Sequence, residues 1–294
     1  MTEADATNTI IIEKGTSLWK DAWYRLLRNK AAVGSGIFIL ICILLTLLTP
    51  WIVPYEFDAI VYSEIGHGPS LAHWFGTDVL GRDLLTRCIY GLRISLAIGF
   101  IATAVSFVIG VSWGAISGYF GGKVDSLMMR FVDILYGLPY VIFVIIMMTI
   151  FGRNILMLFI ALGAVQWLTM ARIVRGQIMS LKNKEFVEAA HAIGATNKSI
   201  IFKHLVPNAL GPIIVYSTLT VPSVILIEAF LSFLGLGVQA PMASLGSLAA
   251  DGASAMELYP WLILFPGLLL AILLFALNYL GDGLRDALDP RMKQ

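Results

Sequence analysis

Charged side chains are scarce in this chain. Of its 294 residues, only 13% are Asp, Glu, Lys or Arg, whereas 58% are hydrophobic, and the mean hydropathy is +0.84. Soluble domains carry about 25% charged residues, so this composition excludes a protein whose main solvent is water. The net charge of +1 indicates no particular partner, and nucleic acid is not expected to be one.

Several chemical motifs are missing as well. The two cysteines, Cys42 and Cys88, are expected at different depths, which predicts no disulfide, and no zinc or cluster spacing occurs. A phosphate-binding loop needs Gly-x-x-x-x-Gly-Lys and then Ser or Thr, but Ser117 stands at the first glycine position and Val124 at the last position. No Ser-His, His-Glu or carboxylate pair falls at membrane depth, which argues against an enzyme.

The chain has long apolar runs instead. A helix needs roughly 20 mostly apolar residues to cross a hydrocarbon core about 30 Å thick. Six runs approach this length: 31–55, 94–122, 134–152, 154–171, 204–227 (continuing past Glu228 towards 236) and 258–281. Gly152, Arg153 and Asn154 are expected to turn the chain between the third and fourth runs. The sequence therefore predicts an all-α membrane protein of about six transmembrane helices.

Basic residues predict the orientation of these helices. Of the 20 Lys and Arg residues, only Arg82, Arg87, Arg93 and Arg153 fall on one side when the loops are assigned alternately. Cytoplasmic loops retain positive charge during insertion, so the other side is expected to be the cytoplasm. Six spans then place both termini in the cytoplasm, and no cleaved signal peptide is expected.

The runs also divide the chain. Residues 1–30 predict a cytoplasmic amphipathic segment, residues 31–55 the first span, and residues 56–93 an extracytoplasmic segment. Residues 94–281 form the main membrane core, and residues 282–294 a cytoplasmic tail. The core contains a cytoplasmic loop over 172–207, which is far longer than a connection between helices needs.

This long loop has a pattern of its own. Apolar positions at helical spacing over 184–193 predict a helix, Gly194 suits a positive φ at its end, and 197–203 begins a second short helix. Pro207 marks the start of the fifth span. The pattern predicts a helix-turn-helix along the inner membrane surface, on which the small residues Ala189 and Ala190 permit close approach of another protein.

The same loop resembles the signature of the inner-membrane permeases of binding-protein-dependent ABC importers. That signature is Glu-Ala-Ala, three residues, Gly, nine residues and Ile-x-Leu-Pro. Here Glu188-Ala189-Ala190, Gly194 and Pro207 fall in the same spacing, and His204 and Val206 replace the Ile and the Leu.

The resemblance extends over nearly the whole chain. Residues 73–96, 232–237 and 281–291 resemble signatures of the dipeptide, oligopeptide and nickel permease group. Within that group, residues 121–130 and 170–177 are most similar to the oligopeptide permease C subunits.

The resemblance implies a division of labour. Two permease chains form the pathway in the bacterial inner membrane, two cytoplasmic ATPases bind ATP and Mg and supply energy, and an extracytoplasmic peptide-binding protein delivers cargo. The loop around Glu188, Ala189, Ala190, Gly194 and Pro207 couples the pathway to the ATPases, and this chain needs no cofactor. Oligopeptides are the expected cargo, with dipeptides or nickel as alternatives. An ion-driven secondary transporter is less favoured, because no internal repeat or midplane acid is seen.

Glu228 is the main polar residue left unexplained. It lies in an otherwise charge-free stretch from 204 to 250, and a carboxylate in hydrocarbon suggests a functional site. Its predicted depth is near the outer interface. A pathway or gating role therefore stands beside a structural one, in which Glu228 is solvated or pairs with an outer arginine.

Other polar residues have plainer interpretations. Asp133 is expected to pair with Arg130 or another inner cation. Arg172 and Arg175 are expected to contact lipid headgroups, with an acidic residue of an ATPase as the alternative. Pro139 predicts a packed bend within the third span. The four histidines share no helical face, so they are interpreted as solvated or interfacial rather than as a nickel site: His67, His73, His191 and His204.

Overall fold

The computed structural model describes residues 18–288, which form α-helices joined by turns and two longer segments. The helices in chain order are α1 (Leu18–Arg28), α2 (Lys30–Ile52), α3 (Leu84–Phe120), α4 (Gly122–Tyr136), α5 (Tyr140–Phe151), α6 (Ile155–Leu181), α7 (Glu185–Ala192), α8 (Asn197–Ser199), α9 (Val206–Asn208), α10 (Leu210–Phe233), α11 (Leu245–Ser254) and α12 (Trp261–Leu288). A 3₁₀ turn covers Tyr62–Glu64, and a π-helix covers Ile200–Leu205 between α8 and α9.

Within these residues, five helices are long and apolar enough to cross a membrane, namely α2, α3, α6, α10 and α12. They confirm the all-α fold and five of the predicted spans. α3 begins at Leu84 rather than at residue 94, because Asp83 caps it by accepting a hydrogen bond from the Thr86 amide. α6 continues to Leu181 rather than ending at 171, since hydropathy shows where a helix leaves the bilayer and not where it ends.

The bend predicted at Pro139 within the third span, 134–152, is confirmed, but it divides the span into two helices instead of bending one helix. The structure has two helices there, α4 and α5, whose axes differ in direction by 80°. Pro139 caps α5, and a proline disfavours helical conformation in the residue before it, here Leu138. α5 has only 12 residues, about 18 Å of helix, which is too short to cross the core alone. A sixth span exists only if this bent pair crosses the membrane as one unit.

Three glycines bring α3 and α6 into close contact. Gly110, Gly114 and Gly118 follow one another at intervals of four residues on the face of α3 that meets α6. A methyl group added at Gly114 would collide with the Ala171 carbonyl oxygen, and one at Gly118 would lie 2.8 Å from the Arg175 oxygen. Small residues at this spacing let two backbones approach closely, which is a common way of packing membrane helices.

The remaining long helices pack beside this pair. Ile39 and Cys42 of α2, Ile225 of α10 and Leu273 and Leu277 of α12 share one buried cluster. α12 runs antiparallel to α10, since Gly281 near the end of α12 lies against Leu219 in the first half of α10. The end of α12 and the start of α10 are therefore at the same end of the molecule as α7. The α1 helix confirms the helical part of the predicted amphipathic segment, and residues before 18 lie outside the described part.

We expect Gly114→Ala to lower the free energy of unfolding by about 1–3 kcal/mol, because the added methyl overpacks the α3–α6 contact. Gly176→Ala is the matched control on α6, where an added methyl meets nothing within 4 Å among the described residues. This control should be neutral or slightly stabilising. Thermal unfolding of the purified variants in detergent measures both, and equal midpoints would contradict the close-contact interpretation.

Candidate functional site

The α7 helix is amphipathic, with one face packed on the chain itself. Val187 and Ala190 are buried in a cluster that includes Ala115 of α3, Ile178 of α6 and Ile200 of the π-helix. Glu188 and Ala189 are exposed on the other side. The expectation that both alanines are available to another protein is therefore wrong for Ala190, whose methyl fills the internal cluster.

The turn after α7 is a Schellman motif. Gly194 has a φ of +80°, its amide donates to the His191 oxygen at 2.9 Å, and the Ala195 amide donates to the Ala190 oxygen at 3.0 Å. An added methyl at Gly194 meets nothing within 4 Å in the described chain, so there is space for a larger side chain. Glycine is needed there because of the positive φ. The positive φ predicted for Gly194 is confirmed.

The turn also exposes an apolar side chain that sequence analysis missed. Ile193 is 82% exposed and directly follows α7, the helix that carries exposed Glu188 and Ala189. One acid, one small residue and one exposed isoleucine thus form a compact surface at this end of the molecule. We call Glu188, Ala189 and Ile193 the α7 surface. A single exposed isoleucine carries little signal in a sequence that is 58% hydrophobic.

The second half of the predicted helix-turn-helix contains a π-helix. The Val206 amide donates to the Ile201 oxygen, five residues back. The next residue, Pro207, has no amide hydrogen, and a proline ring crowds the carbonyl four residues earlier, so a wider turn at this point relieves both constraints. Ile200, Ile201 and Leu205 are buried in the same cluster as α7, which fixes the two parts of the loop to one another.

Tyr119 connects α3 to both parts of this loop. Its hydroxyl donates to Asn197 Oδ1 at 2.8 Å and lies 3.2 Å from Nε2 of His191. His191 Nδ1 lies 2.9 Å from the Val187 oxygen, so both ring nitrogens have partners within the chain. Sequence analysis missed Tyr119, because it lies about 70 residues from its partners.

Two arginines of α6 bind acids of α4. Arg172 Nη2 lies 2.7 Å from Asp133 Oδ1, and Arg175 contacts Asp125 through Nε at 2.5 Å and Nη2 at 2.6 Å. The Ser117 hydroxyl of α3 donates to the same Asp125. The expectation of lipid contacts for both arginines is thus replaced by internal ion pairs, and the expected pairing of Asp133 with an inner cation is confirmed. These contacts tie α4 to α3 and α6.

Glu228 is fully buried. Its Oε1 accepts hydrogen bonds from Ser232 at 2.8 Å and from Ser244 at 2.7 Å, and its Oε2 has no hydrogen-bond partner among the described residues. Ser244 is also the N-cap of α11, where it accepts from the Ser247 amide. The expectation that Glu228 is solvated or paired with an outer arginine is wrong, and the residue instead holds the start of α11 against α10.

The segment before α3 contains a buried histidine. His73 lies between two carboxylates, with Nδ1 2.9 Å from Asp83 and Nε2 3.2 Å from Glu64. The interpretation of His73 as solvated is therefore wrong. Within residues 18–288 no group of three or more His, Cys, Asp or Glu side chains is placed to hold a metal ion.

The surface of the long helices defines the class of protein. Large apolar side chains face outward along them, including Leu47 of α2, Val108 of α3, Leu226 of α10 and Phe275 of α12, each more than half exposed. Water would penalise such a surface, whereas lipid does not. With five helices of spanning length in the described part, the chain is a multi-pass membrane protein.

Comparison with known proteins identifies the family. Residues 110–294 match the family described as binding-protein-dependent transport system inner membrane component, and residues 17–69 match the N-terminal transmembrane domain of oligopeptide transport permease C. The chain belongs to this family of inner-membrane transport components. The resemblance inferred from the Glu188–Pro207 signature is thus confirmed.

Individual relatives are also permease proteins of peptide transport systems. The chain is 52% identical to the oligopeptide transport system permease protein OppC of Haemophilus influenzae, over 95% of this chain and 90% of that protein. It is 51% identical to OppC of Escherichia coli K12, over 95% of this chain and 93% of that protein. It is 46% identical to the dipeptide permease DppC of Bacillus subtilis, over 95% of this chain and 87% of that protein.

A solved structure shares the fold. An inward-facing form of the MetNI methionine ABC transporter contains a chain that matches with a TM-score of 0.58 and 22% identity. The match covers 70% of this chain and 96% of that one. At this identity the likeness shows the permease fold alone.

We expect Glu188→Arg and Gly194→Pro to leave the chain inserted in the membrane but to abolish cargo uptake. The first reverses a charge on the α7 surface, and the second cannot adopt the φ of +80° that the turn needs. Asp282→Arg is the matched control, an exposed acid at the same end of the molecule on α12. Uptake and membrane abundance are measured together, and normal uptake by a stably inserted Gly194→Pro variant would refute the role of this loop.

We expect Glu228→Gln to keep the fold, because an amide oxygen accepts the same two hydroxyl hydrogen bonds. Glu228→Ala leaves both hydroxyls without this acceptor and should lower the free energy of unfolding by roughly 1–3 kcal/mol. Thermal unfolding separates the two variants. Uptake then decides between a role in transport and a structural role. A stable Glu228→Gln variant without uptake would mean that transport requires the carboxylate itself. Full uptake by this variant would mean that Glu228 has a structural role.

Proposed function

We propose that this chain is the permease subunit of an ATP-driven importer that forms half of a translocation pathway for oligopeptides. The observation that carries the proposal is the identity of 46–52% to oligopeptide permeases of Haemophilus, Escherichia and Bacillus, over at least 95% of this chain. Such coverage includes both the membrane helices and the loop with α7. Identity of 46% to one dipeptide permease keeps dipeptides as the second candidate cargo.

Energy enters at the α7 surface in this proposal. A cytoplasmic ATPase contacts Glu188, Ala189 and Ile193, which are exposed while the opposite face of α7 is buried in the chain. ATP and Mg²⁺ bind to two such ATPase subunits and not to this chain, which supplies no catalytic residue. The distribution of Lys and Arg supports a cytoplasmic position for α7 and both termini in this proposal.

The packing supports transmission of force from α7 to the membrane helices. The buried cluster attaches α7 to α3, α6 and α10, and the Arg175–Asp125 pair attaches α4 to α6. A displacement of α7 therefore moves these helices together rather than bending a flexible loop. The chain and a second homologous permease subunit then alternate between inward-open and outward-open states, and an extracytoplasmic peptide-binding protein delivers cargo.

The test is uptake by a strain that lacks this gene, with and without the gene restored. Cells receive in turn a labelled pentapeptide, a dipeptide and nickel ion. We expect uptake of the pentapeptide to be lost and rescued, because the oligopeptide permeases are similar over nearly the whole chain. A defect confined to dipeptide or nickel would overturn the oligopeptide assignment. Uptake that persists after ATP depletion but stops when the ion gradient is dissipated would indicate a secondary transporter instead.

A further inference from the structure

An exposed apolar loop lies in the segment between α2 and α3. Within residues 70–75, Leu71 is 97% exposed and Trp74 is 68% exposed. His73 is the only residue of this loop that can carry a charge, and it is buried between the carboxylates of Glu64 and Asp83. The exposed surface of the loop is therefore uncharged and mostly apolar, and contact with water alone penalises such a surface.

The loop is held beside the end of α2. The Tyr55 hydroxyl donates to the Ala72 oxygen at 3.1 Å, and the centroids of the Tyr55 and His73 rings are 4.8 Å apart. Trp51 lies four residues before Tyr55, in the last turn of α2, and is 80% exposed. Leu71 and Trp74 thus lie close to a third large apolar side chain.

The packing of α2 on α12 has a fixed register. A methyl group added at Gly283 would collide with Ala32, and one added at Gly36 would lie 3.7 Å from Leu280. These two contacts show that the helices are antiparallel. The end of α2 and the start of α12 are therefore at the same end of the molecule, opposite the α7 surface.

This register gives the level of the loop along the helices. Phe265 of α12 and Pro50 of α2 are each 18 residues from the contact between Gly283 and Ala32, so they are level with one another. The Phe75 ring stacks on the Phe265 ring with centroids 4.2 Å apart. The loop therefore lies alongside the last turn of α2 rather than beyond the end of this helix.

We propose that Leu71 and Trp74 insert into the interfacial region of the adjacent lipid leaflet, next to Trp51. The outward-facing apolar surface of the long helices continues to this point, since Leu47 of α2 and Leu264 of α12 are each more than half exposed. Tryptophan is enriched where the hydrocarbon core meets water, because its ring is apolar and its N–H is polar. The leaflet is the outer one in the orientation used for the proposed function.

The lipid contact also stabilises the start of α3. His73 lies between Leu71 and Trp74 in sequence, and its Nδ1 is 2.9 Å from Asp83, the residue that caps α3. Burial of His73 fixes one face of the loop within the protein, and insertion of its two neighbours fixes the opposite face in lipid. The segment before α3 is therefore attached on both sides.

The test uses the assembled transporter in phosphatidylcholine vesicles, with the fluorophore NBD attached to one introduced cysteine. Leu71→Cys reports on the loop, and Leu47→Cys reports on the outward-facing surface of α2. Val79→Cys is the matched control, because Val79 is exposed in the same segment but lines a cavity that contains charged side chains. The native Cys42 and Cys88 are buried, so they react little with the label.

We expect lipids that carry a spin label near the headgroup to quench the emission at positions 71 and 47, and not at position 79. Iodide dissolved in the water should quench at position 79, and not at positions 71 and 47. The emission maximum at position 71 should also lie at a shorter wavelength than that at position 79. Each result follows because the interfacial region is less polar than water.

Two outcomes would overturn the inference. Iodide quenching at position 71 as strong as at position 79 would mean that the loop is in water. Protection of position 71 from both quenchers would mean that another protein covers the loop. Because Leu71 is almost fully exposed, its replacement by cysteine removes no contact within the chain, and the comparison does not depend on a destabilised variant.

A second pair of variants tests the contribution of Trp74. Trp74→Ser in the Leu71→Cys background should weaken quenching by lipid, because the loop loses one of its two inserted side chains. Val79→Ser in the same background should leave quenching unchanged, and equal quenching in both would refute the role of Trp74. No cargo is needed for these measurements. Loss of lipid quenching with uptake intact refutes this contact alone, and loss of uptake with quenching intact refutes the proposed function alone.

Discussion

The close contact between α3 and α6 is the constraint on which the rest of the structure depends. Gly110, Gly114 and Gly118 remove the side chains that would hold the two backbones apart. The Arg175 backbone then lies against Gly114 and Gly118, from where its side chain reaches Asp125 on α4. Lys182 at the end of α6 donates to the Gly118 oxygen at 3.1 Å. A wider spacing of α3 and α6 would break these polar contacts together.

The same pair of helices determines how α7 is held. Its buried residues, Val187 and Ala190, pack on side chains of α3 and α6, and Tyr119 at the end of α3 bonds to Asn197 beyond the turn. Apolar burial and a hydrogen bond thus fix the loop from two sides. The exposed residues of α7 are therefore presented on a rigid support, which is what the proposed coupling to an ATPase requires.

Sequence reasoning succeeded where a local rule decides the structure. Uniform hydropathy located five spans, and Gly194 was recognisable because a helix that ends with a positive φ requires glycine. It failed where tertiary contacts decide. Pro139 marked the position of a bend, but hydropathy does not register a change of direction, so the angle of 80° and the division into two helices were not predicted. The partners of Glu228 and of Arg87 also depend on packing between helices, and neither is visible from spacing along the chain.

The two ends of α3 differ in how their polar groups are satisfied. At the Phe120 end, the Tyr119 hydroxyl and the Arg175–Asp125 ion pair have their partners within the chain. At the Leu84 end, Asp78 is satisfied by its own turn, while Arg87 keeps two unpaired donors among the described residues. α3 is one helix of 37 residues, about 55 Å long, and it joins both ends without a break. Since Ala115 of the same helix belongs to the cluster that buries Val187 and Ala190, α3 joins the capped turn at its start to the support of α7 as one continuous element.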